Sequence, residues 1–174
     1  MTFNKVIFDI ETTMTADKIW CIVCKHNDTY YQFRENNLHR FEEFIKQTEE
    51  VIGHNIIGFD IPVVNKIFGY DLFANCKKTD TLILSRLLNP MIEGGHSLKN
   101  WGTKLGHNKI HFEQFDFFTE EMLTYCRNDV ELTERLYKFL ITKTKDFGKS
   151  IELEHKVAEI IQKQHDRGFK INVI

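Results

Sequence analysis

Val6-Ile7-Phe8-Asp9-Ile10-Glu11-Thr12 begins apolar and ends in two carboxylates. Val6-Ile7-Phe8 is β-prone and reads as a buried strand. Side chains two apart on a strand share a face, so Asp9 and Glu11 point the same way. Like charges held that close repel. A divalent cation is the usual compensation, because carboxylate oxygens suit Mg²⁺ or Mn²⁺. Two solvated carboxylates at a strand end would read the same, so the choice rests on what lies downstream.

Two further places bear on it. His54-Asn55-Ile56-Ile57-Gly58-Phe59-Asp60 stands where the apolar Val51-Ile52-Gly53-His54 gives way to a helical pattern carrying Val63, Val64 and Ile67. Sites in α/β sheets form at such strand ends. Asp60 would serve equally as a helix cap, and Asn55 as a turn residue. Tyr125 and Asp129 are four apart inside a long helical run, so they share a helical face. Asp129 falls among the apolar Met122, Cys126, Val130 and Leu136. A charge there needs a partner, and a shared metal would supply one.

Outward from these places the chain alternates short elements. Strands are expected at 5–11, 19–25 and 29–33, the last two joined by the turn-like His26-Asn27-Asp28. That order suggests an antiparallel meander. A helical period follows at Leu38, Phe41, Phe44 and Ile45, then the strand at Val51 and the helix from Asp60 to Phe68. Asp80 is placed to cap a helix over 81–88, and Ser97 to cap one that ends at Gly106. Residues 107–118 form an aromatic-rich irregular loop. Thr119 caps a long helix to about Thr142, with Glu120 and Glu121 favourable in its first turn. A last helix runs from about Lys149 to Arg167 and stops at Gly168. Strands first, then alternating strands and helices, describe an α/β domain with a mixed sheet.

Composition sets the outer limits. A chain of 174 residues with 42% hydrophobic content and 15 Phe has enough apolar material for one core. Two Pro and nine Gly argue against a disordered or collagen-like chain. The net charge of −2 excludes a basic nucleic-acid coat but not a nucleic-acid enzyme whose carboxylates are screened by bound cations. Met1-Thr2-Phe3-Asn4-Lys5 has no signal-peptide core, and no apolar run is long enough to span a membrane, so a cytoplasmic protein is expected. Cys21-Ile22-Val23-Cys24 has metal-like spacing. It falls on a strand, where residues three apart face opposite ways, and it has no partner pair.

Asp9, Glu11, Asp60 and Asp129 in that order, with Tyr125 four before the last, resemble the DEDD superfamily of 3′–5′ exonucleases in its tyrosine-bearing branch. The motif Asp-x-Glu matches Asp9-Ile10-Glu11. Asn-x₃-Phe/Tyr-Asp matches Asn55 through Asp60, and Tyr-x₃-Asp matches Tyr125 through Asp129. The histidine-bearing branch would place His at position 124, where this chain has Thr. The run 79–87, together with His96-Ser97-Leu98, Trp101 and Leu105-Gly106, is similar to the proofreading domain of family A DNA polymerases of short-tailed bacteriophages. That likeness spans about residues 5–145. Residues 152–169 look like the segment leading on toward a polymerase domain, which does not follow here.

The resemblance implies a ribonuclease H-like fold, a mixed five-stranded sheet flanked by helices, with an exonuclease domain at 1–148 and a connecting segment at 149–174. It implies two divalent ions, Mg²⁺ or Mn²⁺. One would lie on Asp9, Glu11 and Asp129, the second on Asp9 with Asp60 nearby. It implies that Tyr125 orients the attacking water and that Thr12, Asn55 and Phe59 bind substrate. The substrate implied is a single-stranded or frayed DNA 3′ end, trimmed during proofreading of phage replication. RNA trimming within the same superfamily and a non-catalytic polymerase adaptor are the alternatives. Trp20, Phe59 and the aromatics of 112–118 are candidates for stacking on bases, with core packing preferred for all but Phe59. His96 and His107 read as turn residues. Leu153, Val157, Ile160 and Ile161 form a helical stripe, and Phe169, Ile171, Val173 and Ile174 alternate as a strand would. Residues 150–174 are therefore expected to add little to the nuclease core. They would instead contact a separately encoded polymerase or a second copy of the chain.

Overall fold

The computed structural model describes residues 2–171, so Val173 and Ile174 lie outside the described residues. Five strands, β1 (Phe3–Thr12), β2 (Ile19–His26), β3 (Thr29–Arg34), β4 (Thr48–Gly53) and β5 (Lys77–Asp80), form one sheet in the order β3-β2-β1-β4-β5. The meander β1-β2-β3 is antiparallel, and β1, β4 and β5 run parallel. The sheet is mixed, as the element order implies. Its parallel strands bring their C-terminal ends to one edge.

The alternation of β1 sorts its residues onto two faces. Val6, Phe8 and Ile10 join Ile22, Cys24 and Val51 in a core that takes in Phe41 and Phe44 of α1 (Leu38–Ile45) and Ile61, Val63 and Val64 of α2 (Asp60–Phe68). Full burial of a side chain such as Phe8 stabilises the fold by roughly 1.5–3 kcal/mol relative to exposure. The other face carries Ile7, Cys21, Val23 and Ile52 against Met122, Leu123, Cys126 and Val130 of α5 (Glu120–Lys143). Cys21 and Cys24 are buried on opposite faces, both as free thiols. Two shorter helices, α3 (Thr81–Leu88) and α4 (Leu98–Leu105), close a third cluster on α5 through Leu84, Leu98, Trp101, Leu132 and Leu136.

The helix ends follow their sequence signals. The side chains of Asp80, Ser97 and Thr119 accept from the backbone N–H of Leu82, Asn100 and Met122. Gly106 ends α4 in the left-handed conformation, at φ 66°. One strand differs from the sequence reading. Lys77-Lys78-Thr79-Asp80 forms β5, although it has no apolar alternation. Polar contacts to β4 hold it, Thr79 Oγ1 donating to Glu50 at 2.6 Å and Lys77 Nζ at 2.9 Å.

The C-terminal helix α6 (Gly148–Arg167) departs in part from its expected detachment. Leu153, Val157, Ile160 and Ile161 are exposed, at 38–64%. On its other side His155 is buried and accepts the Asp80 N–H at 2.8 Å, and Glu159 pairs with Lys78 at 3.3 Å. The helix is fastened by these polar contacts, which an apolar-pattern reading does not register, together with Ile151 and Ala158 packed against the core clusters. No helix among the described residues is long and apolar enough to cross a membrane.

Candidate active site

Asp9 and Glu11 project from β1 on the α5 side, opposite Val23 and Cys21 of β2. The ladder slips between Glu11 and Thr12, a bulge at the point where pairing ends and side chains are re-aimed. Asp129 and Tyr125 come down from α5 onto the same place. Asp60 enters from the first turn of α2, after the 54–59 loop that leaves the C-terminal end of β4. A Cβ on Gly53 would collide with Ile56 and meet the Phe8 carbonyl at 3.0 Å, so glycine lets that loop lie against β1.

The four carboxylates form one electrostatic unit. Glu11, Asp60 and Asp129 are 3–7% exposed, and Asp9 is partly buried. Burial holds Asp9 well above the usual carboxylate range, and the charges of Asp60, Glu11 and Asp129 push it further. Burial drives Glu11 up to about 9, with Cys21 and Asp129 adding to it. Burial raises Asp60 to about 7. Asp129 is also raised by burial, with Lys109 pulling the other way. The N-cap position of α2 is held by Phe59, and Asp60 is the first residue of the helix, so the expected N-cap role of Asp60 does not hold. Asp60 Oδ1 and Asp129 Oδ1 are buried with no hydrogen-bond partner.

Such orphaned anionic oxygens are costly unless a cation meets them. The residues therefore fit a hard divalent ion. Asp9, Glu11 and Cys126 present ligand atoms within 4.8 Å of one another. Cys126 is a poor ligand for such an ion, because burial pushes its thiol far above its ordinary value. Its Sγ instead donates toward Asp9 Oδ2 at 3.5 Å. That leaves the all-oxygen set Asp9, Glu11, Asp60 and Asp129, which suits Mg²⁺ or Mn²⁺.

The expected substrate residues divide. Asn55 and Phe59 are exposed beside Asp60, Phe59 at 41%. Asn55 is held in the left-handed conformation at φ 64°, and its N–H donates to Asp80 Oδ1 at 2.8 Å. Thr12 is buried, and its hydroxyl donates to the Thr13 carbonyl. Tyr125 is 9% exposed, and burial raises its phenol to about 12. Phe112 and Phe115 pack against it, with ring centroids at 5.4 and 6.3 Å. Trp20 donates to the Phe115 carbonyl at 2.9 Å. These aromatics are packing residues, while Phe59 and Phe117 remain exposed. His96 bonds Ser85, and His107 bonds Asn128, consistent with local roles.

Three residues of this region escaped the sequence reading. Lys109 Nζ lies 2.5 Å from Asp129 Oδ2 and 4.7 Å from the centre of the Tyr125 ring. Cys126 lacks the spacing of a ligand motif. His155 reaches the site only through Asp80. A cavity of about 770 Å³ between α2 and α6 is lined by none of the four carboxylates, so it is not this site.

The mixed five-stranded sheet with its flanking helices is a ribonuclease H-like fold, and it is shared with particular solved structures. NrnC of Brucella melitensis, solved with bound Mg²⁺, superposes with a TM-score of 0.74 at 20% identity, covering 98% of this chain and 89% of that one. The same protein bound to pGG gives 0.73 at 18% identity, with the same coverages. Escherichia coli RNase D, an exoribonuclease involved in structured RNA processing, gives 0.68 at 14% identity over 92% of this chain and 45% of that one. A family B DNA polymerase from the archaeon Pyrobaculum calidifontis gives 0.62 at 16% identity over 81% of this chain and 25% of that one. At these identities the likeness establishes the fold. No family model and no curated sequence matches the chain.

Proposed function

We propose that this chain is a divalent-cation-dependent 3′–5′ exonuclease that removes nucleotides from the ends of RNA, releasing nucleoside 5′-monophosphates. One observation carries the reading. Four buried or partly buried carboxylates from β1, α2 and α5 meet at the strand ends, and two of their oxygens, Asp60 Oδ1 and Asp129 Oδ1, have no partner.

Asp9, Glu11, Asp60 and Asp129 would hold the ions. When bound, they would supply activation of the attacking water, in-line alignment and charge relief on the phosphate and leaving oxygens. The chain's own residues do the rest. Tyr125, with a phenol raised to about 12, stays protonated and orients the water through its hydroxyl rather than acting as base. Asn55 and Phe59, exposed at the mouth beside Asp60, meet the terminal nucleotide, Phe59 by stacking on its base.

The RNA preference is supported by NrnC bound to pGG and by RNase D, whose description is that of an exoribonuclease. The expected role in DNA proofreading is the second reading. It is supported by the archaeal DNA polymerase neighbour and by the likeness of residues 79–106 to phage polymerases. An adaptor without catalysis is disfavoured, since all four carboxylates are present and clustered. The expected contact of 150–174 with a polymerase or a second copy has the exposed α6 stripe as its support. The test is incubation of 5′-labelled RNA and DNA oligonucleotides of one sequence, with Mg²⁺ and then with EDTA. Ladders shortening from the 3′ end of RNA, faster than DNA and abolished by EDTA, are expected. A product pattern unaffected by EDTA would refute the metal-dependent reading, and faster loss of DNA would favour the second.

A further inference from the structure

Lys109 belongs to an irregular loop, yet it is firmly placed. Ile110 N–H donates to Asn128 Oδ1 at 3.1 Å, and Asn128 Nδ2 donates to His107 Nε2 at 3.1 Å. The residues on both sides of Lys109 are thus pinned to α5, one position from Asp129. Gly102 makes room for this arrangement, since a Cβ there would meet the His107 carbonyl at 2.7 Å and the Lys109 nitrogen at 3.3 Å.

The side chain bridges the two residues of α5 that face the reaction. Its amine sits 2.5 Å from Asp129 Oδ2 and over the ring of Tyr125. It is 26% exposed, while Asp129 is 4% exposed. A single amine satisfies one oxygen of the cluster and leaves Asp129 Oδ1 and Asp60 Oδ1 unmet. A cation already stands in the cluster, but it is too small in charge for four carboxylates. Lysine on a flexible stem can also leave more readily than a forked guanidinium.

We propose that Lys109 is the cluster's own counter-ion in the metal-free protein, and that a divalent cation binds by taking Asp129 from it. The inference rests on the metal-site reading above. In this account Lys109 stabilises the carboxylate cluster, lowers its affinity for cations, and clears the space beside Tyr125 when a cation arrives.

The test measures Mg²⁺ and Mn²⁺ binding by calorimetry, and thermal transitions in EDTA and in Mg²⁺, for the full chain and for Lys109→Met and Lys109→Arg. Met keeps the length of the side chain and removes the charge. It should bind the cation about tenfold more tightly, because the competing charge is gone. Its transition in EDTA should fall, and its gain on adding Mg²⁺ should exceed that of the parent. Arg keeps the charge and should bind no more tightly than the parent. Parent-like or weaker binding by Met, or tightening by Arg equal to that by Met, would overturn the proposal. If Met does not fold in EDTA, Mg²⁺ must restore its cooperative transition, and failure to do so also overturns it. A parent protein that binds no divalent cation would instead refute the metal site itself.

Discussion

Removing the carboxylate of Asp80 tests how the site is built, because Asp80 is buried and its side chain holds the loop that delivers Asp60. Its Oδ1 accepts the N–H of Asn55 at 2.8 Å and of Leu82 at 2.9 Å, and its Oδ2 accepts the N–H of Ile57 at 3.1 Å. Burial raises its pKa, and these three amides pull it back down. In Asp80→Ala the buried Ile57 N–H is stranded, at a cost of about 1–3 kcal/mol. Loss of the α3 cap adds about 1 kcal/mol. The Asn55 donor is exposed enough for water to replace part of its bond. The total is about 2–4 kcal/mol, against a typical stability of roughly 5–15 kcal/mol. For a chain of this size that lowers Tm by about 4–16 °C without unfolding it at room temperature. Asp80→Asn keeps one acceptor and should fall between the two. Calorimetric scans of the three proteins at pH 7 provide the measure, and calorimetric Mg²⁺ titration reads the consequence at Asp60. An Ala variant that melts within about 2 °C of the parent would refute the assignment of the loop to Asp80.

Asp9→Ala and Asp129→Ala should each lower the nuclease rate by roughly 10³-fold or more, since charge relief in the transition state is lost; undiminished cleavage in both would remove the cluster from the chemistry. Tyr125→Phe should slow cleavage by a smaller factor, on the order of 10–10², and leave cation binding by calorimetry intact. Metal-free stability should fall as pH rises. Burial places Asp60 at about 7 and Glu11 at about 9 in the folded chain, above their ordinary values of 3.8 and 4.5, so the folded state keeps protons that the unfolded state has lost. That contribution is complete below about pH 4 and is lost through pH 7 and 9, so Tm in EDTA should decline across this window and the decline should shrink with Mg²⁺; a flat profile would contradict it. Deleting residues 150–174 removes the His155 acceptor of the Asp80 N–H and should lower Tm by about 2–12 °C while the chain still folds, an unchanged Tm showing that this bond carries no weight.

The sequence is legible wherever a local rule fixes the outcome. Alternation in β1 put Asp9 and Glu11 on one face, and the four-residue spacing put Tyr125 and Asp129 on another, before any tertiary information. The caps Asp80, Ser97 and Thr119 set three helix starts for the same reason. β5 was illegible because its pairing is held by Glu50, 27 and 29 residues away from its partners Lys77 and Thr79. Lys109 was illegible because it precedes Asp129 by no helical or strand period, and only the bonds to Asn128 bring it there. The bulge after Glu11 and the glycine-permitted approach at Gly53 likewise depend on neighbours in space.

Helix α6 shows where a periodicity argument gives half an answer. Leu153, Val157, Ile160 and Ile161 have the spacing of a buried stripe, and the fold leaves them in water. The contact that matters to the site comes from the other side of the helix, from one imidazole. His155 Nε2 accepts the Asp80 N–H at 2.8 Å, and its Nδ1 bonds the Ile151 carbonyl at 2.7 Å, which fixes both the ring and its tautomer. Asp80 then orders Asn55 and Ile57, and that loop delivers Asp60. The helix packs Ile151 and Ala158 against the core, and its link to the carboxylate cluster is a chain of directed hydrogen bonds. Apolar burial tolerates sliding, whereas a bond made to one backbone N–H does not. A hydrogen-bonded strut of this kind fixes the position of Asp60 while leaving the apolar stripe free of any duty within the domain.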